Sequence, residues 1–296
     1  MTSAAPFGTV LTAMVTPLRE DGSVDLDGVQ KVAKHLVEHG HDGLVVSGTT
    51  GESATTTVAE DAETLAAVRD AVGSTAKIVA GVGTNDTRTS VELALQAEKA
   101  GADGLLVVTP YYNKPGQRGI VEHFRSVAAA TDVPVILYDV PGRTGSSIGF
   151  DAYREAIGFD TVVAVKEAAG DLARGTRLID LGYAVYSGDD ALNLAWLAHG
   201  AVGVISVAGH AAGDLLRTMV DAAAANDLAT ARQTYARMLP AIDAIMGVPN
   251  YGATTAKAAL ELLGVLDNRR VRQPLVALDE DEVAALRDGL TAAGLL

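Results

Sequence analysis

Residues 91–109, Val91-Glu92-Leu93-Ala94-Leu95-Gln96-Ala97-Glu98-Lys99-Ala100-Gly101-Ala102-Asp103-Gly104-Leu105-Leu106-Val107-Val108-Thr109, contain one complete fold unit. Val91, Leu93, Ala94, Ala97 and Ala100 recur at helical spacing. Gly101 follows as a C-terminal cap. After the short Ala102-Asp103 connection, Gly104–Thr109 is a continuous apolar run, the pattern of a strand buried on both faces. The same device occurs upstream: Val29, Val32, Ala33, Leu36 and Val37 at helical spacing, then Gly40, His41-Asp42 and the run Gly43–Ser47. Across the chain the apolar runs are Val10–Val15, Gly43–Ser47, Lys77–Gly81, Gly104–Thr109, Val135–Tyr138, Val162–Lys166, Ala184–Ser187 and Gly203–Ser206, with helical segments between them. Eight βα units in about 220 residues predict a closed (β/α)8 TIM barrel. An open doubly wound sheet would put a Gly-rich turn after the first strand, where Thr16-Pro17-Leu18 stands instead. From about residue 225 onward the chain is strand-free, with helical runs near Asp227–Ile245, Ala253–Leu263 and Asp279–Ala292. The expected organisation is therefore a barrel over 1–224 that holds the active site, and a C-terminal helical extension over 225–296.

Composition narrows the function. The 296 residues carry 23 Lys plus Arg against 37 Asp plus Glu, a net charge of −14, and no cysteine. Nucleic acid and anionic membranes reward clustered basic residues, so neither is an expected partner. Disulfides, thiolate catalysis and Cys-ligated metals are excluded. No apolar stretch is long enough for a membrane span. The first basic residue is Arg19, whereas a secretory signal opens on a basic segment, so a cytoplasmic location is expected.

Barrel chemistry lies at the C-terminal ends of the strands. There the sequence places Thr49-Thr50-Gly51-Glu52-Ser53, Tyr111-Tyr112, Tyr138, Arg143, Lys166 and Ser187-Gly188-Asp189-Asp190. In Val162-Val163-Ala164-Val165-Lys166, period two puts Lys166 on the face of Ala164, hence in the barrel mouth if Ala164 points inward. Burial disfavours an ammonium, and a neutral amine is what a Schiff-base nucleophile requires. At its ordinary pKa only about one lysine in 2,500 is neutral at pH 7, so the surroundings must tune it. The alternative is a plain salt bridge to Glu167 or a barrel-top Asp. Tyr138 shares a face with Ile136 and would stand beside Lys166, as a proton shuttle or as a core residue with a wet hydroxyl. Thr49-Thr50-Gly51 offers hydroxyls and backbone N–H groups just before a helix, either for a small carboxylate or as an ordinary cap. Asp189-Asp190 reads first as an N-cap. No Lys or Arg lies between Arg177 and Arg217, where barrels commonly bind phosphate, which argues against a phosphorylated substrate. His35-Leu36-Val37-Glu38-His39 matches a zinc-peptidase pattern, but it falls at the opposite end of the barrel and reads as a solvated helix end.

Five ordered segments carry a resemblance: Gly48-Thr49-Thr50-Gly51-Glu52-Ser53, Val108-Thr109-Pro110-Tyr111-Tyr112-Asn113-Lys114-Pro115, Tyr138-Asp139-Val140-Pro141-Gly142-Arg143-Thr144-Gly145, Val165-Lys166-Glu167-Ala168 and Ser187-Gly188-Asp189-Asp190-Ala191. Together with Lys257-Ala258-Ala259-Leu260 in the tail, they resemble the dihydrodipicolinate synthase family of pyruvate-dependent class I aldolases. The resemblance implies that Lys166 forms a Schiff base with pyruvate. Tyr138, Thr49 and Tyr112 would relay protons, Tyr112 reaching in from a neighbouring subunit of a homotetramer built as a dimer of dimers. Thr49 and Thr50 would hold the pyruvate carboxylate. Arg143 would bind aspartate semialdehyde, although as a residue it also reads as a surface loop charge. Gly188 and Ile205 would line the site by main-chain contacts. No metal or organic cofactor is implied.

The same chemistry admits a second reading, a 2-keto-3-deoxy-sugar-acid or N-acetylneuraminate lyase. A third is a non-catalytic keto-acid-binding barrel. The Thr-Thr pair, Tyr112 and the setting of Arg143 favour the synthase, and with it lysine and diaminopimelate biosynthesis. The chain departs from the family at Asp139, where Asn is common, and in Val248-Pro249-Asn250-Tyr251-Gly252, which lacks a second Pro. Val58 and Asp61 stand where lysine-inhibited members carry histidines, while Ser53, Ala54, Asn85 and Tyr111 match their allosteric site. Weak or absent lysine inhibition is the expectation.

Overall fold

The computed structural model describes residues 5–248 and 252–296, so Pro249, Asn250 and Tyr251 of the departing tail segment lie outside the described residues. The strands are β1 Val10–Ala13, β2 Gly43–Val46, β3 Lys77–Gly81, β4 Gly104–Val108, β5 Val135–Asp139, β6 Val162–Glu167, β7 Ala184–Ser187 and β8 Gly203–Ser206. The helices are α1 Leu26–Glu38, α2 Val58–Val72, α3 Thr87–Lys99, α4 Gln117–Ala128, α5 Pro141–Thr144, α6 Phe150–Ala156, α7 Leu172–Asp180, α8 Asn193–Ala198, α9 Gly209–Ala224, α10 Leu228–Met246, α11 Ala253–Leu262 and α12 Glu280–Ala292. Each strand pairs in parallel with the next, and β1 pairs with β8, so the sheet closes as the expected barrel. Gly40 and Gly101 end α1 and α3 with φ of 84° and 75°, a backbone that L side chains adopt only under strain.

Alternation along the strands separates two cores. Leu11, Val45, Val79, Leu106, Ile136, Ala164 and Tyr186 fill the barrel interior. Leu44, Val46, Leu105, Val107, Leu137 and Val165 face outward onto the helices, packing with Val32, Leu36, Val68 and Phe124. Phe7 enters the interior, its N–H donating to the Tyr186 hydroxyl (3.2 Å), which in turn donates to the Gly8 carbonyl (3.0 Å). The helices beyond residue 225 fall within a residue or two of their expected spans. Met238, Ala241 and Ile242 of α10 and Val283, Leu286 and Leu290 of α12 share one apolar cluster with α9 and with Val10 and Val204. The tail is thus packed on α9, which in turn covers β1.

Candidate active site

The register of β5 and β6 makes Tyr138 the partner of Lys166, and Asp139 the partner of Glu167. With Ala164 inside the barrel, alternation turns Lys166 inward, where its residue is 4% exposed. Its Nζ stands 4.5 Å from the Tyr138 ring centroid. Burial, opposed by the charge of Asp190 and helped by that of Arg143, brings the Lys166 pKa down to about 8. At that value about one amine in ten is neutral at pH 7. A cavity of about 350 Å³ opens over this amine, bordered by Thr49, Thr50, Tyr138, Arg143, Lys166 and Gly188. A methyl group on Gly188 would come within 3.0 Å of both Lys166 Cγ and the Glu167 carbonyl oxygen, so only glycine leaves the lysine stem its room.

The salt-bridge alternative for Lys166 is not what forms. Among the described residues no hydrogen bond or ion pair engages its Nζ. Glu167 points to the outside of the barrel and pairs with Arg174 at 2.5 Å. Arg174 also reaches Asp139 at 3.0 Å, so one guanidinium bridges two buried carboxylates on neighbouring strands. Asp139 further accepts from the Tyr153 hydroxyl (3.1 Å) and the Ser147 hydroxyl (3.1 Å). Burial nevertheless raises the pKa of both acids from their ordinary values, against the lowering effect of the Arg174 charge. The clamp sits directly behind Tyr138 and Lys166.

Two loop expectations need correction. Thr49-Thr50-Gly51 does not precede a helix: residues 49–55 run as turns, and α2 starts at Val58, capped by a Thr57–Glu60 capping box. Its anion-binding potential therefore rests on hydroxyls and turn N–H groups, without a helix dipole. Asp189 does cap, accepting from Ala191 N–H at 3.0 Å, but Asp190 does not. Asp190 crosses to the end of β8, accepting from Ser206 Oγ (2.5 Å) and from the N–H groups of Val207 and Ala208 (both 2.8 Å). It ties the β7 and β8 loops together beside the cavity.

A family model described as the dihydrodipicolinate synthetase family matches residues 6–293. The chain belongs to this family. It is 54% identical to the 4-hydroxy-tetrahydrodipicolinate synthase of Kineococcus radiotolerans over 294 residues, covering 98% of this chain and 94% of the relative. It is 51% identical to the synthase of Acidothermus cellulolyticus over 293 residues, again 98% and 94% of the two chains. Among solved structures, the DHDPS of Cyanidioschyzon merolae with lysine bound superposes with a TM-score of 0.93 at 39% identity, covering 98% of this chain and 99% of that one. The chloride-inhibited dihydrodipicolinate synthase of Acinetobacter baumannii, complexed with pyruvate, gives 0.93 at 34% identity over 99% and 100%.

Against this family background, six of the eight expected site residues border one cavity. The other two do not. Ile205 is 1% exposed and packs in the barrel interior. Tyr112 is 87% exposed and has left-handed backbone, φ 70°, on the loop after β4. Sequence reasoning missed Ile242, Asp243, Met246 and Gly247 at the end of α10, which complete the cavity wall. It also missed the apolar floor of Ala13, Val45 and Leu106. The floor could have been found, since these residues sit at inward positions of the strands. At the far end of the barrel, His35 is bonded to the His210 carbonyl and His39 to Asp214, both at 2.9 Å, so the zinc-peptidase pattern spans the contact between α1 and α9.

Proposed function

We infer that the cavity carries out a lysine Schiff-base condensation. The activity is that of a 4-hydroxy-tetrahydrodipicolinate synthase, a lyase of the class I aldolase type, joining pyruvate to aspartate 4-semialdehyde in lysine and diaminopimelate biosynthesis. One observation carries this reading: a buried amine with its pKa drawn down to about 8, facing an open cavity beside a tyrosine and a two-threonine loop. The neutral Lys166 amine attacks C2 of pyruvate, and the carbinolamine loses water to give an imine. Thr49 and Thr50 hold the pyruvate carboxylate. A methyl proton leaves, and the resulting enamine attacks the aldehyde carbon of the second substrate. The amino group of that substrate then closes on the imine carbon and releases Lys166. Tyr138, with Thr49 and Tyr112, moves the protons.

Arg143 binds the carboxylate of the semialdehyde, for which a guanidinium is the natural bidentate partner. Asp189 and Asp243 border the same cavity, which suits a substrate carrying an ammonium group better than a polyhydroxy acid. Gly188 contributes main-chain contacts, and Ile205 supports the floor from within. The exposure and left-handed backbone of Tyr112 favour an assembly in which it completes a neighbour's site, as in a homotetramer. One structural relative is described as the first monomeric dihydrodipicolinate synthase variant, so the sedimentation velocity of this chain decides the matter. No helix among the described residues is long and apolar enough to cross a membrane. A cytoplasmic location, where pyruvate is generated, follows from the reading.

The test is direct comparison of substrates. Purified protein should consume pyruvate with aspartate semialdehyde and should not cleave 2-keto-3-deoxy sugar acids or N-acetylneuraminate. Faster cleavage of a sugar acid than condensation would move the protein to the lyase branch.

A further inference from the structure

The loop bearing Thr49 and Thr50 lies between two voids. One is the Lys166 cavity. The other, about 180 Å³, is bordered by Thr49, Thr50, Glu52, Arg143, Pro274 and Leu275. The loop thus has open space on two sides, while Thr50 and Glu52 within it are buried. Within the loop, Glu52 N–H donates to the Thr49 carbonyl (3.1 Å), Ser53 N–H to that of Gly48 (3.3 Å), and the Thr55 N–H and hydroxyl to that of Glu52 (2.9 and 3.1 Å). Ser47 and Glu52 also hold left-handed backbone, φ 55° and 62°, which persists only where the surroundings enforce it.

The Glu52 side chain is held from the far end of the chain. The Glu52 side chain is 3% exposed and forms an ion pair with Lys257 of α11, itself 1% exposed. The second Glu52 oxygen accepts from the Arg272 N–H at 2.7 Å, and Lys257 donates also to the Arg270 carbonyl at 2.7 Å. A buried ion pair adds little stability over an apolar pair of similar volume, because both charges must be desolvated. It does fix direction, since each polar atom must keep its partner.

We propose that Lys257 is a positioning residue for keto-acid binding: through its buried bridge to Glu52, the C-terminal helical tail holds the Thr49-Thr50 loop in the conformation that receives the substrate carboxylate. The inference rests on the Schiff-base reading of the cavity. Burial lowers the Lys257 pKa, and the charge and hydrogen bond of Glu52 oppose that shift, so the carboxylate favours the ionised amine that serves as the pin.

The experiment measures borohydride trapping of pyruvate as a function of pyruvate concentration in wild type, Lys257→Met and Glu52→Gln/Lys257→Met. The double variant removes both charges, so it retains the fold if the single variant does not. Half-saturating pyruvate should rise about tenfold in each folded variant, while the trapping rate at saturation stays within about threefold, the signature of lost ground-state binding. Double-variant protein with wild-type half-saturation would overturn the proposal and leave the bridge a purely structural contact. Wild type that takes no adduct at all would refute the Schiff-base reading, and the positioning role with it.

Discussion

Tyr138 and Lys166 are register partners on adjacent strands, and the lysine amine stands 4.5 Å from the centre of the tyrosine ring. The ring packs against the amine, while the hydroxyl is the part able to move a proton. Tyr138→Phe separates these roles. It keeps the packing surface, so thermal stability should stay within about 1 kcal/mol, whereas kcat should fall by about 10²–10⁴, the usual share of general acid–base catalysis. Stopped assays of condensation alongside thermal melts check both halves.

The depressed Lys166 pKa gives a pH profile. Below about 8 most of the amine is protonated, so the rate of imine formation should rise close to tenfold per pH unit and level off above that value. An ordinary lysine would still be gaining rate beyond pH 9.5 or so. Single-turnover trapping with pyruvate across pH 6 to 10 distinguishes the two.

Arg174 binds two buried carboxylates at once, and removing it strands both. Arg174→Met should destabilise the fold by about 3–5 kcal/mol. Adding Asp139→Asn to that variant should restore part of the loss, because one of the two stranded charges disappears. Asp139→Asn alone retains most of its hydrogen-bonding partners and should leave activity within a few-fold of wild type. Thermal denaturation of the three proteins tests the arrangement.

Three histidines are buried in neutral form. Burial depresses His41 and His123 to about 4 and His210 to about 3, from an ordinary 6.5. Between pH 6.5 and about 4 the unfolded chain binds protons that the native chain refuses, so stability falls as pH falls through that window. With three sites the slope approaches about 4 kcal/mol per pH unit at most. Asp61, Asp139, Glu167 and Asp189, raised by burial, act in the opposite sense near the carboxylate range. Denaturant midpoints should therefore drop between pH 6.5 and 4.5, and the drop should shrink when His123 is replaced by Gln.

Lysine feedback offers a further check. Val58 is 43% exposed, and Asp61 is buried with its carboxylate accepting from the Thr56 hydroxyl at 2.8 Å. Neither position presents an imidazole. Titration with L-lysine should leave condensation unaffected in the sub-millimolar range.

The strands were legible because they are buried on both faces, which writes each one as an unbroken apolar run. The meeting of Tyr138 and Lys166 was legible for a related reason: period-two alternation on neighbouring strands leaves little choice of face. The remainder depends on contacts that carry no local pattern. Glu52 and Lys257 are 205 positions apart and look like ordinary surface charges in the sequence. Ile242 and Met246 read as the apolar side of a tail helix, although they also wall the cavity. Asp190 carries the residue type of a cap and instead spends its carboxylate on the end of the next strand. The net charge of −14 gave no hint of the pocket, where Arg143 and Lys166 meet Asp189 and Asp243, because total charge describes the far field only.

The central claim is that Lys166 is the nucleophile. Wild-type protein incubated with pyruvate and borohydride, then digested and analysed by mass spectrometry, should carry one reduced pyruvate unit per chain on the peptide containing Lys166. Lys166→Ala, folded as judged by its melting transition, should carry none. An adduct that persists in Lys166→Ala, or one that maps to Lys257 in the wild type, would contradict the account.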